Sequence, residues 1–310
     1  MPLGLRRLLG LGAPVAAGAG EPFIDRKAQK WVIEPVRVGL MARTQELWRY
    51  RRILWFFAGR RIKERYEDTT LGKFWLFARP LMPIFISTII FGNMLQVPSD
   101  GIPYFLFILA GMSCWRIFER GVQRVTRSLD SNRGLIKKVY FPRLIAPISS
   151  VAPALTEFLV LFALLIGACI FYYVKDGVFY LRVGPQSLLA FVAVVMAAFL
   201  SIAVGLWTAV WQVRHKDVQF SIRYFMQLWY YVTPVIFPLS KLLELLPEQL
   251  RFVAFLNPMS PVVELYKWGL LGIGQPPGLG LAIGVVITLA IFSGGAVFFN
   301  RSEAAAVDRL

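Results

Sequence analysis

The sequence predicts an all-α, polytopic membrane protein with six crossing helices. Three observations predict it. The 310 residues are 57% hydrophobic with a mean hydropathy of +0.58, well above the 45–50% apolar content of a soluble domain. Several runs reach 18 or more residues with few charges, the length that crosses a bilayer as a helix. Of the 34 Lys and Arg residues, 28 cluster between those runs on one side. Strand-type alternation is absent, which argues against a barrel.

The predicted spans are 74–95, 103–118, 148–174, 187–213, 220–237 and 279–299, each near the ~20 residues a crossing needs. The second is slightly short and is expected to continue as helix into the cytosol. Pro80, Pro83, Pro153 and Pro234 fall inside spans. A kink there is tolerated when neighbours re-satisfy the freed backbone groups. Orientation follows from the charge asymmetry: 28 Lys and Arg fall on one side of this topology and 5 on the other. The basic side is expected to be cytoplasmic, with both termini inside. The same rule accounts for the formal net charge of +16 without nucleic acid as a partner.

Ahead of the spans lie two other segments. Residues 1–30 read as a flexible tail; the first 20 imitate a signal peptide, but Gly10, Gly12 and Pro14 break the apolar run. Residues 31–73 interleave Trp48, Trp55, Phe56 and Phe57 with Arg49, Arg51, Arg52, Arg60 and Arg61. That pattern suits an amphipathic helix at headgroup depth, rings in the interface and guanidinium groups reaching phosphate. The spans occupy 74–300, and 301–310 form a short cytoplasmic tail.

Two loops stand out. Between spans two and three, residues 130–147 carry Arg133, Lys137, Lys138 and Arg143 with no acid after Asp130, beside Leu135, Ile136, Val139, Tyr140 and Phe141. A basic, partly amphipathic loop of this kind lies at headgroups or docks a cytosolic partner, and docking is the reading adopted. The outer loop 239–277 holds three short apolar-periodic pieces, near 241–246, 250–256 and 262–271, punctuated by Pro247 and Pro258. They are too short to span and read as re-entrant or interfacial helices.

The ordered pieces WVIEP, LWRYRRILWFFAGRRIKERYEDTTLGKFWLFARPL, DGIPYFLFILAGMSCWRIF, SLDSNRGLIKKVYFPRLIAP, VRHKDVQF, QLWYYVTPVIFPLS and FLNPMSPVVE run from about residue 31 to 272. Together they resemble the transmembrane subunit of ABC-2-type polysaccharide exporters, the O-antigen, teichoic-acid and capsule permeases, and the O-antigen branch most. The loop before span five departs locally, with RHKD and Arg223 where the family has an Arg-Tyr-Arg-Asp run and a proline. The resemblance implies a homodimer of six-span subunits forming a continuous channel in the bacterial inner membrane. It implies two copies of a separate cytosolic ATPase that bind ATP and Mg, an undecaprenyl-linked polysaccharide as cargo, and loop 130–147 as the coupling and gating element.

Candidate site residues follow. Asn132, Arg133, Lys137, Lys138 and Arg143 would supply polar contacts to the ATPase, with Leu135, Ile136 and Tyr140 as an apolar knob. Arg214 and Asp217, in the shorter loop after span four, form a second docking candidate. Phe225, Trp229, Tyr230, Tyr231 and Phe237 crowd span five, and aromatic rings offer stacking faces over which sugars slide; the same residues also suit an aromatic belt or helix packing. Arg79 and Glu157 are charges within spans and therefore functional candidates.

Several chemistries are excluded or unsupported. No GxxxxGK[ST] loop is present, so energy must come from another chain. Cys114 and Cys169 form no disulfide framework or metal spacing, and the lone His215 supplies no triad or His-based metal site. A drug or lipid efflux permease of the same fold stays open as an alternative cargo reading; a membrane-embedded transferase lacks a catalytic constellation.

Overall fold

The computed structural model describes residues 48, 50–63, 72–138, 142–245, 247–250, 256–274, 276 and 278–307. The expected tail 1–30, residues 31–47, and Tyr140 lie outside them. The described residues are helical and contain no strand.

Helix α1 (Arg51–Lys63) is followed by α2 (Gly72–Ser87), which runs on as a π-helical turn over Thr88–Met94. Then come α3 (Tyr104–Thr126), the short α4 (Ser128–Ser131), α5 (Arg133–Lys138) and α6 (Ile145–Ser149), and the long α7 (Ala152–Asp176) and α8 (Ser187–Arg214). The chain ends through α9 (Val218–Val232), α10 (Leu239–Leu245), a 3-10 turn at Glu248–Leu250, α11 (Met259–Leu271) and α12 (Leu279–Val307).

Among the described residues, four stretches are long and apolar enough to cross a membrane: Phe77–Met94, Ile145–Asp176, Ser187–Arg214 and Leu279–Ser302. They match the first, third, fourth and sixth expected spans, each with ends moved by a few residues. The other two differ for identifiable reasons. Helix α3 is long, but Arg116, Glu119, Arg120 and Arg124 all fall in its second half. Helix α9 ends at Val232, five residues short of the expected Phe237, because Pro234 supplies no amide hydrogen to extend it.

Helix α3 is the packing centre. From Tyr104 to Phe118 every residue except Phe105 and Arg116 is buried. It crosses α8 where glycines let the backbones approach: a methyl group at Gly121 would overlap Ser201, and one at Gly205 would overlap Val125. Between helices with no hydrophobic drive in lipid, this close small-residue packing holds the pair. One turn further, the Thr126 and Thr208 hydroxyls lie 2.6 Å apart. Helix α12 docks on α8 through Trp207, whose indole N–H donates to the Ile291 carbonyl at 3.0 Å. The outward faces of α2, α7, α8 and α12 present Phe85, Ile89, Leu159, Phe171, Phe191 and Val286, as expected where lipid is the solvent.

Helix α11 has all but Pro261 and Trp268 buried. Its 13 residues rise about 20 Å, too little to cross. It packs against α3 and α8, so the third short piece of the outer loop is an internal element of the bundle.

The α3–α8 crossing yields a direct test. Gly205→Ala should lower the melting temperature of the detergent-solubilised chain, for a loss of about 1–3 kcal/mol from overpacking. Gly167→Ala, where a methyl group meets nothing within 4 Å, should leave it unchanged or raise it.

Candidate conduit and docking surfaces

A groove of about 310 Å³ opens between α2, α3 and α9. Trp115, Tyr230 and Tyr231 form its aromatic wall; Arg116, Glu119, Arg223 and Gln227 supply the polar edge, and Pro83, Ser87, Met112 and Met226 complete the lining. The Trp115 and Tyr230 ring centroids are 5.8 Å apart, and those of Tyr230 and Tyr231 5.4 Å. Arg116 Nη1 meets Glu119 Oε2 at 3.3 Å. Rings beside fixed charge and amide groups suit a ligand with both apolar faces and hydroxyl edges.

The five expected channel aromatics therefore divide. Tyr230 and Tyr231 line the groove, joined by Trp115 from α3. Phe225 stacks edge-on against Trp229 at 5.3 Å, and Trp229 against Phe118 at 5.1 Å. Phe237 rests on Phe91 of the π-helical turn at 5.7 Å. Trp229 and Phe237 pack against the bundle core, and Phe225 is exposed on α9 outside this groove.

Just beyond Tyr231 the chain leaves helix at Thr233–Phe237, while Thr233 through Ile236 remain buried. Two of the segment's carbonyls, and that of Val232 just before it, take side-chain donors from elsewhere. Asn257 Nδ2 donates to Val232 O at 3.4 Å, Lys267 Nζ to Pro234 O at 2.6 Å, and Tyr104 OH to Ile236 O at 2.9 Å. Asn257 also accepts from Trp229 Nε1 at 2.7 Å and from the Met259 amide at 3.0 Å, and donates to Thr233 Oγ1 at 2.9 Å. The Lys267 ammonium sits 3.5 Å from the centre of the Phe107 ring, with the side chain 1% exposed. By sequence Lys267 falls in the outer loop 239–277, yet it is the most deeply placed charge among the described residues. Glu264, one helical turn before it and also buried, was the available signal: two charges three apart inside an otherwise apolar VVELYKWGLL.

The two in-span charges separate. Arg79 is exposed on α2, its guanidinium 5.5 Å over the Trp75 ring. Glu157 is buried on α7 and faces Arg120 of α3, Oε1 to Nε 3.7 Å.

The loop 130–147 is held against its own chain. Asn132 is buried, donating through Nδ2 to Ser128 O at 2.6 Å. Arg133 is exposed at the start of α5. Leu135 and Ile136, expected as a knob for a partner, instead pack with Tyr50, Ile53 and Leu54 on Phe57 of α1 and Ile145 of α6. The side chains of Lys137 and Lys138 are outside the described residues; Arg143 is half-buried. In the second loop Arg214 and Asp217 are both exposed. The same α1 that buries Phe57 leaves Trp55 and Phe56 exposed, and Arg51 lies 5.2 Å over the Trp48 ring, an arrangement suited to a headgroup layer.

With this geometry in place, comparison with known proteins is specific. The family model for ABC-2 type transporters matches residues 53–271. An O-antigen export system permease protein, RfbA, of Myxococcus xanthus is 25% identical over 261 residues, covering 84% of this chain and 96% of the relative. Two proteins of the same name from Klebsiella pneumoniae are 25% and 24% identical, covering 68% and 66% of this chain and 78% and 75% of their own lengths.

Replacing the buried donor tests the break. Lys267→Met keeps the volume but leaves the Pro234 carbonyl unsatisfied. It should cost about 1–3 kcal/mol, read as a lower melting temperature of the full chain in detergent.

Proposed function

This chain belongs to the ABC-2 type transporter family, a multi-pass membrane permease component and not an enzyme, and we propose that it exports undecaprenyl-linked O-antigen across the bacterial inner membrane. One observation carries the cargo assignment: the alignment with O-antigen export permeases spans 84% of this chain and 96% of one relative, taking in the aromatic groove rather than a shared fragment. The groove has the chemistry for it. Stacking on Trp115, Tyr230 and Tyr231 is weak at each step and tolerant of sugar identity, so a polymer advances without being trapped.

In this proposal two copies of the chain pair, each with six crossings, α3 and α9 supplying the two that fall short on length or composition. Both termini face the cytoplasm. A separate ATPase, two copies per assembly, binds ATP and Mg and docks on the α4–α6 region, with Arg133 and the Arg214–Asp217 turn as contacts. Closure of the ATPase pair pushes α5; because Leu135 and Ile136 rest on Phe57, the push reaches α1 and widens the inner opening. No covalent step occurs in this chain.

Complementation tests the cargo. In a strain lacking its O-antigen permease but keeping the ATPase, the wild-type chain should restore surface polysaccharide, read by immunoblot of cell-surface glycan. Tyr231→Ala, at an exposed position of the groove, should reduce it several-fold at unchanged membrane abundance. Restored resistance to small amphiphiles with no surface glycan would instead favour an efflux permease. Arg133→Glu should lower permease-stimulated ATP hydrolysis by the partner several-fold without moving the permease's melting temperature; unchanged stimulation removes α5 from the docking surface.

A further inference from the structure

The groove between α2, α3 and α9 is lined by two arginines and one glutamate. Glu119 is fully engaged: its Oε2 meets Arg116 Nη1 at 3.3 Å, and its Oε1 accepts from Gln123 Nε2 at 3.3 Å. Arg223, on the α9 wall, is exposed and makes no hydrogen bond, ion pair or ring contact among the described residues. The lining therefore holds one cation without a counter-charge.

Position separates this arginine from the charges that set topology. Arg214 and Lys216 lie at the turn between α8 and α9. Arg223 is in the second turn of α9, among the exposed apolar side chains of Phe220, Phe225 and Leu228. A charge kept at such a place costs energy unless it faces water or an anion, so it marks a pathway rather than a loop.

Helical spacing puts Arg223, Gln227 and Tyr230 at i, i+4 and i+7, within a sector of about 60°. All three line the groove, over about 10 Å of rise. A guanidinium fork, a side-chain amide and an aromatic ring thus follow one another along one stripe. The ring takes the apolar face of a sugar, and the amide takes its hydroxyls. The fork fits something else: its parallel donors match the two oxygens of a carboxylate. A diphosphate head would bring several negative charges, whereas the groove offers a single uncompensated positive one. We infer that Arg223 is an anion subsite for a carboxylate-bearing sugar, so that the groove prefers acidic glycans, of the hexuronic-acid type, over neutral ones. The inference rests on the export reading above and narrows its cargo class.

Calorimetric titration of the full-length chain, purified in a detergent without a sugar headgroup, tests it. The probes are an oligogalacturonate, its methyl ester and inorganic pyrophosphate; the ester keeps the backbone and removes the charge. The acid should bind about fivefold more tightly than the ester, and the gap should shrink as salt rises. R223Q should close the gap by weakening the acid alone. R223K should leave part of it, since charge is kept and the fork is lost. Where R223Q does not fold, the wild-type gap, its salt dependence and the R223K value still decide. Equal affinity for acid and ester, with both lost in Tyr231→Ala, overturns the subsite and leaves the glycan groove standing. A gap that R223Q leaves intact overturns it as well. Binding of neither sugar removes the export reading from the groove, and this inference with it. Pyrophosphate bound more tightly than the acid, and lost in R223Q, assigns the arginine to a carrier head and overturns the sugar carboxylate.

Discussion

The structure depends on how three carbonyl groups find donors. Val232, Pro234 and Ile236 lie where the chain leaves helix inside a membrane protein, and no water of the bilayer core can solvate them. An unsatisfied backbone group there costs several kcal/mol. The donors come from three separate elements: Asn257 ahead of α11, Lys267 within α11, and Tyr104 at the start of α3. A proline break that would otherwise be a defect thereby becomes the point at which α3, α9 and α11 are fastened together.

That requirement explains why α11 is where it is. A 13-residue helix cannot cross, and a buried lysine is expensive unless its charge is met. Lys267 is met by a carbonyl at 2.6 Å, by the Phe107 ring and by its neighbour Glu264. Drawn in by these contacts, α11 wedges against α3 and α8. Gly111 lets it close, since a methyl group there would press on the Val235 carbonyl and the Lys267 chain. With α3 so braced, its opposite face is free to form one wall of the groove, and α9 ends just after placing Tyr230 and Tyr231 on that wall.

Much of the architecture was legible from period and length alone. The four long apolar runs, the amphipathic α1 and the short outer helices all follow from where charges and prolines interrupt hydrophobic residues. Three things were not. Pro234 reads as a tolerated kink in a single-helix pattern; that it ends α9 depends on donors 23 and 33 residues later in the chain. Leu135 and Ile136 read as anchors for a partner, and sequence cannot show that they also rest, half-buried, against Phe57 and Ile145. Among the aromatics of the fifth span, hydropathy gives Trp229 and Tyr231 the same weight, whereas only the fold puts one against Asn257 and the other on the groove.

The contact between α1 and α5 decides how a force would travel. Phe57 is buried against Ile145, with Leu135 and Ile136 packed on the same cluster, so α5 cannot shift without moving α1 or breaking apolar contacts. A displacement of α5 therefore carries α1 with it, while α3 stays with the bundle that the three carbonyl contacts brace. The rigid side is fastened by the three carbonyl contacts; the mobile side is linked to the loop where a motor would press.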